Sequence, residues 1–265
     1  MPAAKPAPAS ELAFAFAPLA KGDRVTLRTR YLIRASFDLG AEGAAGPQAL
    51  EAEAAERIEV LITEAGPERV RQLEVEYAES RASLRMPGIP DAGGPGKSNA
   101  GKRYAVSFGE GGPRVTARTG SLEPDEDKGV LFDLATVTGY VPLAKARLPT
   151  TLAPGWRARV PTSDLRQVFG GFDTVRFDAA SLALSGRAPG SDLALFDCSL
   201  PVHYERDGMA VSANLSGTFT ARTNDARPVS VLLRGPLSGR GNLPLGDASK
   251  LSGTLEVSLE HSYRR

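Results

Sequence analysis

Residues 93–98, Gly93-Gly94-Pro95-Gly96-Lys97-Ser98, have the composition of the end of a phosphate-cradling loop. The chemistry would be main-chain N–H groups and a lysine gathered around a phosphate at the start of a helix. Spacing excludes it, because the place of the required leading glycine is held by Asp91 and the surrounding run is rich in Pro and Gly. Asp125, Asp127 and Gly129 match part of a calcium loop, but the closing Glu at twelve-residue spacing is missing. His203 and His261 are the only histidines, and neither has a Cys, His or Glu partner at metal-binding spacing. His203 shares parity with Asp197 and Ser199 and reads as exposed, whereas His261 shares parity with Leu255, Val257 and Leu259 and reads as partly buried. Cys198 is the single cysteine, so no intrachain disulfide forms, and its strand context makes it a small buried hydrophobe. No G-x-S-x-G elbow occurs, and the Asn214-Leu215-Ser216 sequon falls within a strand pattern. What remains for hydrolysis is a pair of carboxylates brought within about 5–10 Å in a cleft, as glycan-cleaving sites use. The expectation is a protein with no catalytic centre, no metal and no cofactor.

Composition narrows the partners. Lys and Arg total 32 against 31 Asp and Glu, a net charge of +1 that provides no general field for nucleic acid. Apolar residues make up 42% of the chain but aromatics only 6%, so small aliphatic side chains must do much of the packing. No run of eighteen apolar residues is present, so no transmembrane helix is expected. The Ala- and Pro-rich start lacks the apolar core of a signal peptide, and residues 1–20 read as a flexible tether.

The elements that would position any site are mostly strands. From Val25 to Leu39, Val25, Leu27, Tyr31, Ile33 and Phe37 alternate with Thr26, Arg28, Arg30, Arg34 and Ser36. Such alternation marks one buried and one wet face. A strand over 50–64 turns Ile58, Val60 and Ile62 inward and Glu51, Glu53 and Glu59 outward. A third follows with Leu73, Val75 and Tyr77 inward, so acidic strands should pair with the arginine-bearing one. Residues 86–102 read as a loop, and Tyr104–Phe108 with Val115–Ala117 as a hairpin. Pro124 and the acids after it open a helix carrying Val130, Leu131, Leu134 and Val137, with Gly139 as its stop. A second short helix is expected over 164–169, capped by Ser163. Alternation then returns to the end of the chain, with Asp207-Gly208 as a hairpin turn. Pro18-Leu19-Ala20-Lys21 recurs as Pro142-Leu143-Ala144-Lys145, a faint echo between halves.

The fold class is therefore mainly β: antiparallel meanders over 21–120 and 172–265, with a helical insert over 121–171, forming an open barrel or packed curved sheets. Lys21-Gly22-Asp23-Arg24, the stretch from Leu148-Pro149 to Pro154-Gly155-Trp156, and Leu251-Ser252-Gly253-Thr254 occur in an order that resembles a group of bacterial envelope lipoproteins with β-rich halves. The group has no assigned activity, so no functional residues carry over. This chain lacks the lipid-accepting cysteine near its start. More distantly, the layout is similar to the open-barrel lipoprotein carriers and chaperones of the bacterial envelope, which enclose an apolar cavity. The resemblance implies a bacterial envelope or periplasmic location, although the absence of a signal or lipobox in the chain leaves the cytoplasm open. It also implies a lipid, an acyl chain or another envelope protein as partner. Val130, Leu131, Leu134, Val137 and Trp156 are the candidate residues to line or cover such a ligand. A structural or assembly component is the alternative.

Overall fold

The computed structural model describes residues 11–38, 47–67, 70–86, 98–138, 151–162, 175–206, 209–243 and 246–265. The elements in chain order are β1 (Leu12–Ala13), β2 (Arg24–Asp38), β3 (Gln48–Ala65), β4 (Val70–Arg85), β5 (Arg103–Gly109), β6 (Gly112–Ala117), α1 (Glu126–Thr138), β7 (Thr151–Leu152), β8 (Arg157–Val160), β9 (Val175–Phe177), β10 (Ala180–Arg187), β11 (Leu193–Arg206), β12 (Met209–Arg222), β13 (Pro228–Leu243) and β14 (Gly246–Arg264). The expected second helix, the phosphate-loop-like run up to Lys97, Gly139, Leu148-Pro149, the Asp207-Gly208 turn, the second copy of the echo and residues 1–10 lie outside the described residues.

Twelve strands form one antiparallel sheet in the order β6-β5-β4-β3-β2-β14-β13-β12-β11-β10-β8, with β9 paired to β11. The chain starts in the middle, meanders outward to β6, passes through α1 and β7 to the far edge, and meanders back until β14 pairs with β2. That closing ladder runs from Arg24↔Arg264 to Lys250↔Asp38. The sheet stays open, with β6 and β8 at its ends.

The two faces follow the period-two pattern. On the outer face, Arg34 is directly opposite Glu51 and donates to it at 2.9 Å, and Arg30 reaches diagonally to Glu53 at 2.9 Å. Glu53 also receives Arg81, and Glu256 receives Arg30. The arginine stripe is thus dressed by cross-strand acids, each exposed pair worth about 0.2–1 kcal/mol. Leu32 is the exception on this face: it is buried, with Glu53 and Glu256 as its cross-strand neighbours.

Two hydrophobic clusters share the inner face. One gathers Val25 and Leu27 of β2, Ile58, Val60 and Ile62 of β3, Leu73, Val75 and Tyr77 of β4, Tyr104 of β5 and the apolar side of α1. The other gathers Phe196 and Leu200 of β11, Leu215 and Phe219 of β12, Leu233 and Leu237 of β13, together with Leu12 and Leu152 from the small β1–β7 ladder. The expected tether is held from residue 11 onward. Leu12 pairs with Leu152, the Ala15 N–H donates to the Thr223 carbonyl, and Leu19 is buried.

Curvature is written in three glycines. Gly253 on β14, Gly235 on β13 and Gly217 on β12 step diagonally across adjacent strands, two residues per strand. A β-carbon on any of them would fall on the backbone of the next strand. Glycine is used where a sheet bends sharply and backbones approach closely. Opposite Gly235 the β12–β13 ladder breaks off at Ala213↔Leu237 and resumes at Ser216↔Arg234.

Candidate functional site

Local sequence places two carboxylates on the inner, apolar face. Glu56 shares strand parity with Ile58, Val60 and Ile62, so β3 turns it inward with them. Asp133 stands three residues after Val130 and four before Val137, and both of those are buried under α1. The helix therefore carries Asp133 down toward the sheet, where the Tyr77 hydroxyl donates to its Oδ2 at 2.6 Å. The Ser80 hydroxyl donates to Glu56 Oε1 at 3.1 Å. A bulge after Tyr77 realigns β4 so that Ser80 stands opposite Glu56.

Burial dominates the electrostatics here. It raises the Asp133 carboxyl to about 7, and the Glu56 charge pushes it further in that direction. Burial raises Glu56 as well, against hydrogen bonds from Ser80 and Asn99. Tyr31, Tyr77 and Tyr104 surround the pair with hydroxyls whose ionisation is suppressed, first by burial and then by the nearby carboxylates. A second polar tie lies at the start of α1. Glu126 accepts from Lys102, from the Tyr104 hydroxyl at 2.8 Å and from the Glu123 N–H at 2.9 Å. These contacts outweigh its burial and hold its carboxyl below the ordinary range.

Beyond this polar end the inner face is aliphatic. Leu50, Ala52 and Ala54 of β3, Ile33 and Ala35 of β2, Leu84 of β4, and Leu251, Leu255 and Val257 of β14 line adjoining positions, and all are half-buried. Glu56 follows Ala54 on the same face of β3, and Tyr31 stands opposite Ala54. The site is a strip of aliphatic side chains ending at two carboxyls and a tyrosine hydroxyl.

The residues expected to line a ligand divide between the two clusters. Val130, Leu134 and Val137 are buried in the first, with Leu131 packed against it. Trp156 packs on the second, edge-on to Phe196 with ring centroids 6.2 Å apart. The five therefore do not form one lining. The acids missed by motif scanning were detectable by parity, since each is a charged residue in an apolar register.

Other chemistry-bearing groups fall elsewhere. Asp178, His203 and Ser212 form a hydrogen-bonded chain on the outer face, Ser212 Oγ to His203 Nδ1 at 2.9 Å and His203 Nε2 to Asp178 at 3.1 Å. The linkage is that of a nucleophilic relay, but His203 and Ser212 are cross-strand partners on a sheet face whose N–H groups are engaged in ladders. Those paired N–H groups are not free to serve an oxyanion. His261 is buried, and desolvation lowers it to about 4. Among the described residues, no group of three or more His, Cys, Asp or Glu is arranged to hold a metal, and no helix is long and apolar enough to cross a membrane. Cys198 is half-buried on the inner face, and burial pushes its thiol up to about 11. It should resist a thiol-disulfide reagent at mildly alkaline pH in the folded protein and react at once in denaturant. Fast labelling of the native protein would show that this part of the second cluster opens.

No family model matches the chain, and no curated protein does. Among solved structures, a likeness to lipovitellin, described through its lipid–protein interactions, covers 94% of this chain at 7% identity and a TM-score of 0.45. The chain spans 26% of that one. DynF from the dynemicin biosynthesis pathway of Micromonospora chersina aligns over 96% of this chain and 85% of its own, at 10% identity and a TM-score of 0.21. At these scores neither likeness bears on function.

Proposed function

We propose that the protein is a non-catalytic binding protein that holds an apolar ligand, a lipid or acyl chain, against the inner face of the sheet. The reading is carried by one observation: the aliphatic strip over β4, β3, β2 and β14 is only half-buried, although it adjoins the buried cores of both clusters and its β2 and β14 residues pack against the second. Apolar surface of this kind gains roughly 25 cal/mol for each Å² a ligand removes from water. Ala35, Ala52 and Ala54 are its short side chains, over which an acyl chain would lie. A bacterial envelope location accords with this reading and is supported by the sequence resemblance alone.

Native mass spectrometry of the purified protein, followed by organic extraction, tests the reading. A stoichiometric lipid is the expected result. The matched variants are Ala54→Trp, which fills the strip, and Ala55→Trp, the next residue on the outer face. Ala54→Trp should weaken binding of a fluorescent acyl probe by about tenfold or more, a loss of some 1.4 kcal/mol, while Ala55→Trp leaves it unchanged. Equal binding by both variants would remove the strip from consideration. A clean apo mass with no probe binding would favour the alternative, an assembly component. In that case the open edges at β6 and β8 are the features to examine, since unpaired edges template strand addition.

A further inference from the structure

We propose that α1 is a proton-operated latch on the inner face, closed while at least one of Glu56 and Asp133 is protonated and lifted when both are charged. The gating of a ligand rests on the binding reading above, whereas the movement of the helix does not.

The latch follows from what fastens the helix. Its apolar side, Val130, Leu134 and Val137, packs on the first cluster. Its polar ties to the sheet and the loop beside it include Asp133 to Tyr77 and Glu126 to Tyr104 and Lys102. Around Asp133 the titratable groups are Tyr31 from β2, Glu56 from β3, Tyr77 from β4 and Tyr104 from β5, with Glu126 on α1 itself. The one cation described among these ties, Lys102, is bound to Glu126. The tyrosines stay neutral, so among the described residues a second negative charge on the carboxyl pair meets no cation that answers it. Two like charges in a half-buried, apolar site cannot both ionise cheaply. The helix is the movable partner, because Glu56 is fixed in a strand with ladders on both sides.

The direction with pH is set by the two ties. The Asp133 carboxyl is raised in the folded state, so its contribution to the closed form is complete in acid and is lost as pH rises through about 7. The Glu126 carboxyl is lowered, so its contribution is present above the ordinary carboxylate range and is lost as pH falls through its depressed value. The helix is held most firmly in the mildly acidic window between the two.

Hydrogen exchange of the α1 amides, corrected for intrinsic exchange rates and referenced to β13, tests the latch. Between about pH 6 and about pH 8.5, α1 protection in the wild type should fall by about tenfold or more, while β13 holds. Asp133→Asn, which cannot acquire the second charge, should keep α1 protected at both values. If that variant does not fold, Glu56→Gln serves, since it removes the other member of the pair. Unchanged α1 protection in the wild type would overturn the proposal, as would an equal fall in the folded variant. A fluorescent acyl probe in the same samples separates the two readings. Release at the higher pH by the wild type alone supports gating. A helix that lifts in a protein that binds the probe at neither pH overturns the binding reading and leaves the latch standing.

Discussion

Gly235→Ala should be among the most damaging single substitutions in this protein, costing about 3 kcal/mol or more against a total stability of about 5–15 kcal/mol. The reason is steric. The added methyl would overlap the carbonyl of Asn214 and crowd the Leu215 α-carbon, both backbone atoms of the neighbouring strand. No rotamer change relieves a clash with backbone, so the strands themselves must part. Gly217 meets the Leu232 carbonyl and Gly253 the Arg34 carbonyl in the same way. Each should behave like Gly235, and the three together define one bend. The control lies in the hairpin between β5 and β6. A methyl on Gly111 meets nothing within 4 Å, and Gly111→Ala should stay within about 0.5 kcal/mol of wild type. Urea unfolding read by circular dichroism decides the matter. A Gly235→Ala midpoint equal to that of Gly111→Ala would mean that the sheet does not bend along this diagonal.

The strands were legible because their chemistry alternates. Val25, Leu27 and Phe37 against Arg28, Arg30 and Arg34 specify both β2 and its buried side, although Leu32 is buried on the other face and Tyr31 and Ile33 are only half-buried. The acids facing those arginines were legible for the same reason. Less visible was the polar end of the inner face, although Glu56 and Asp133 each stand in an apolar register. Scanning for motifs passes over them because they come from a strand and a helix far apart in sequence, with no fixed spacing. Trp156 could be singled out as a candidate to line or cover a ligand, but not as a residue packed on the second cluster. Its partner Phe196 is forty residues on, and only the return of the chain from the far edge of the sheet brings them together. The pairing of β2 with β14 was hidden for the same reason. Periodicity assigns a residue to a face and leaves open which strand will lie beside it.

The same closure buries a charge pair whose removal carries the other large expected effect. Asp23 precedes β2 and Arg227 precedes β13, and their side chains are 7% and 9% exposed where they meet at 3.4 Å. Arg227 also donates to the Pro18 carbonyl at 3.1 Å and lies over the Tyr263 ring of β14, 5.1 Å from its centroid. Asp23 in turn accepts the Ala20 N–H at 3.0 Å. One guanidinium thus joins the N-terminal segment, the β12–β13 turn and the last strand. Arg227→Ala leaves the Asp23 carboxylate buried without its cation and should cost about 3–5 kcal/mol. Asp23→Asn alone should cost less, because the arginine keeps Asp225 and the carbonyls of the N-terminal segment. The double variant Arg227→Met with Asp23→Asn should recover much of the loss, since a buried pair replaced as a unit is often close to neutral. Denaturant midpoints for Arg227→Met, Asp23→Asn and the double variant complete the cycle and isolate the coupling between the two residues. Strict additivity of the two single changes would show that the pair is not a unit, and that the seam between β2 and β14 is held by the ladder and by packing around Tyr263.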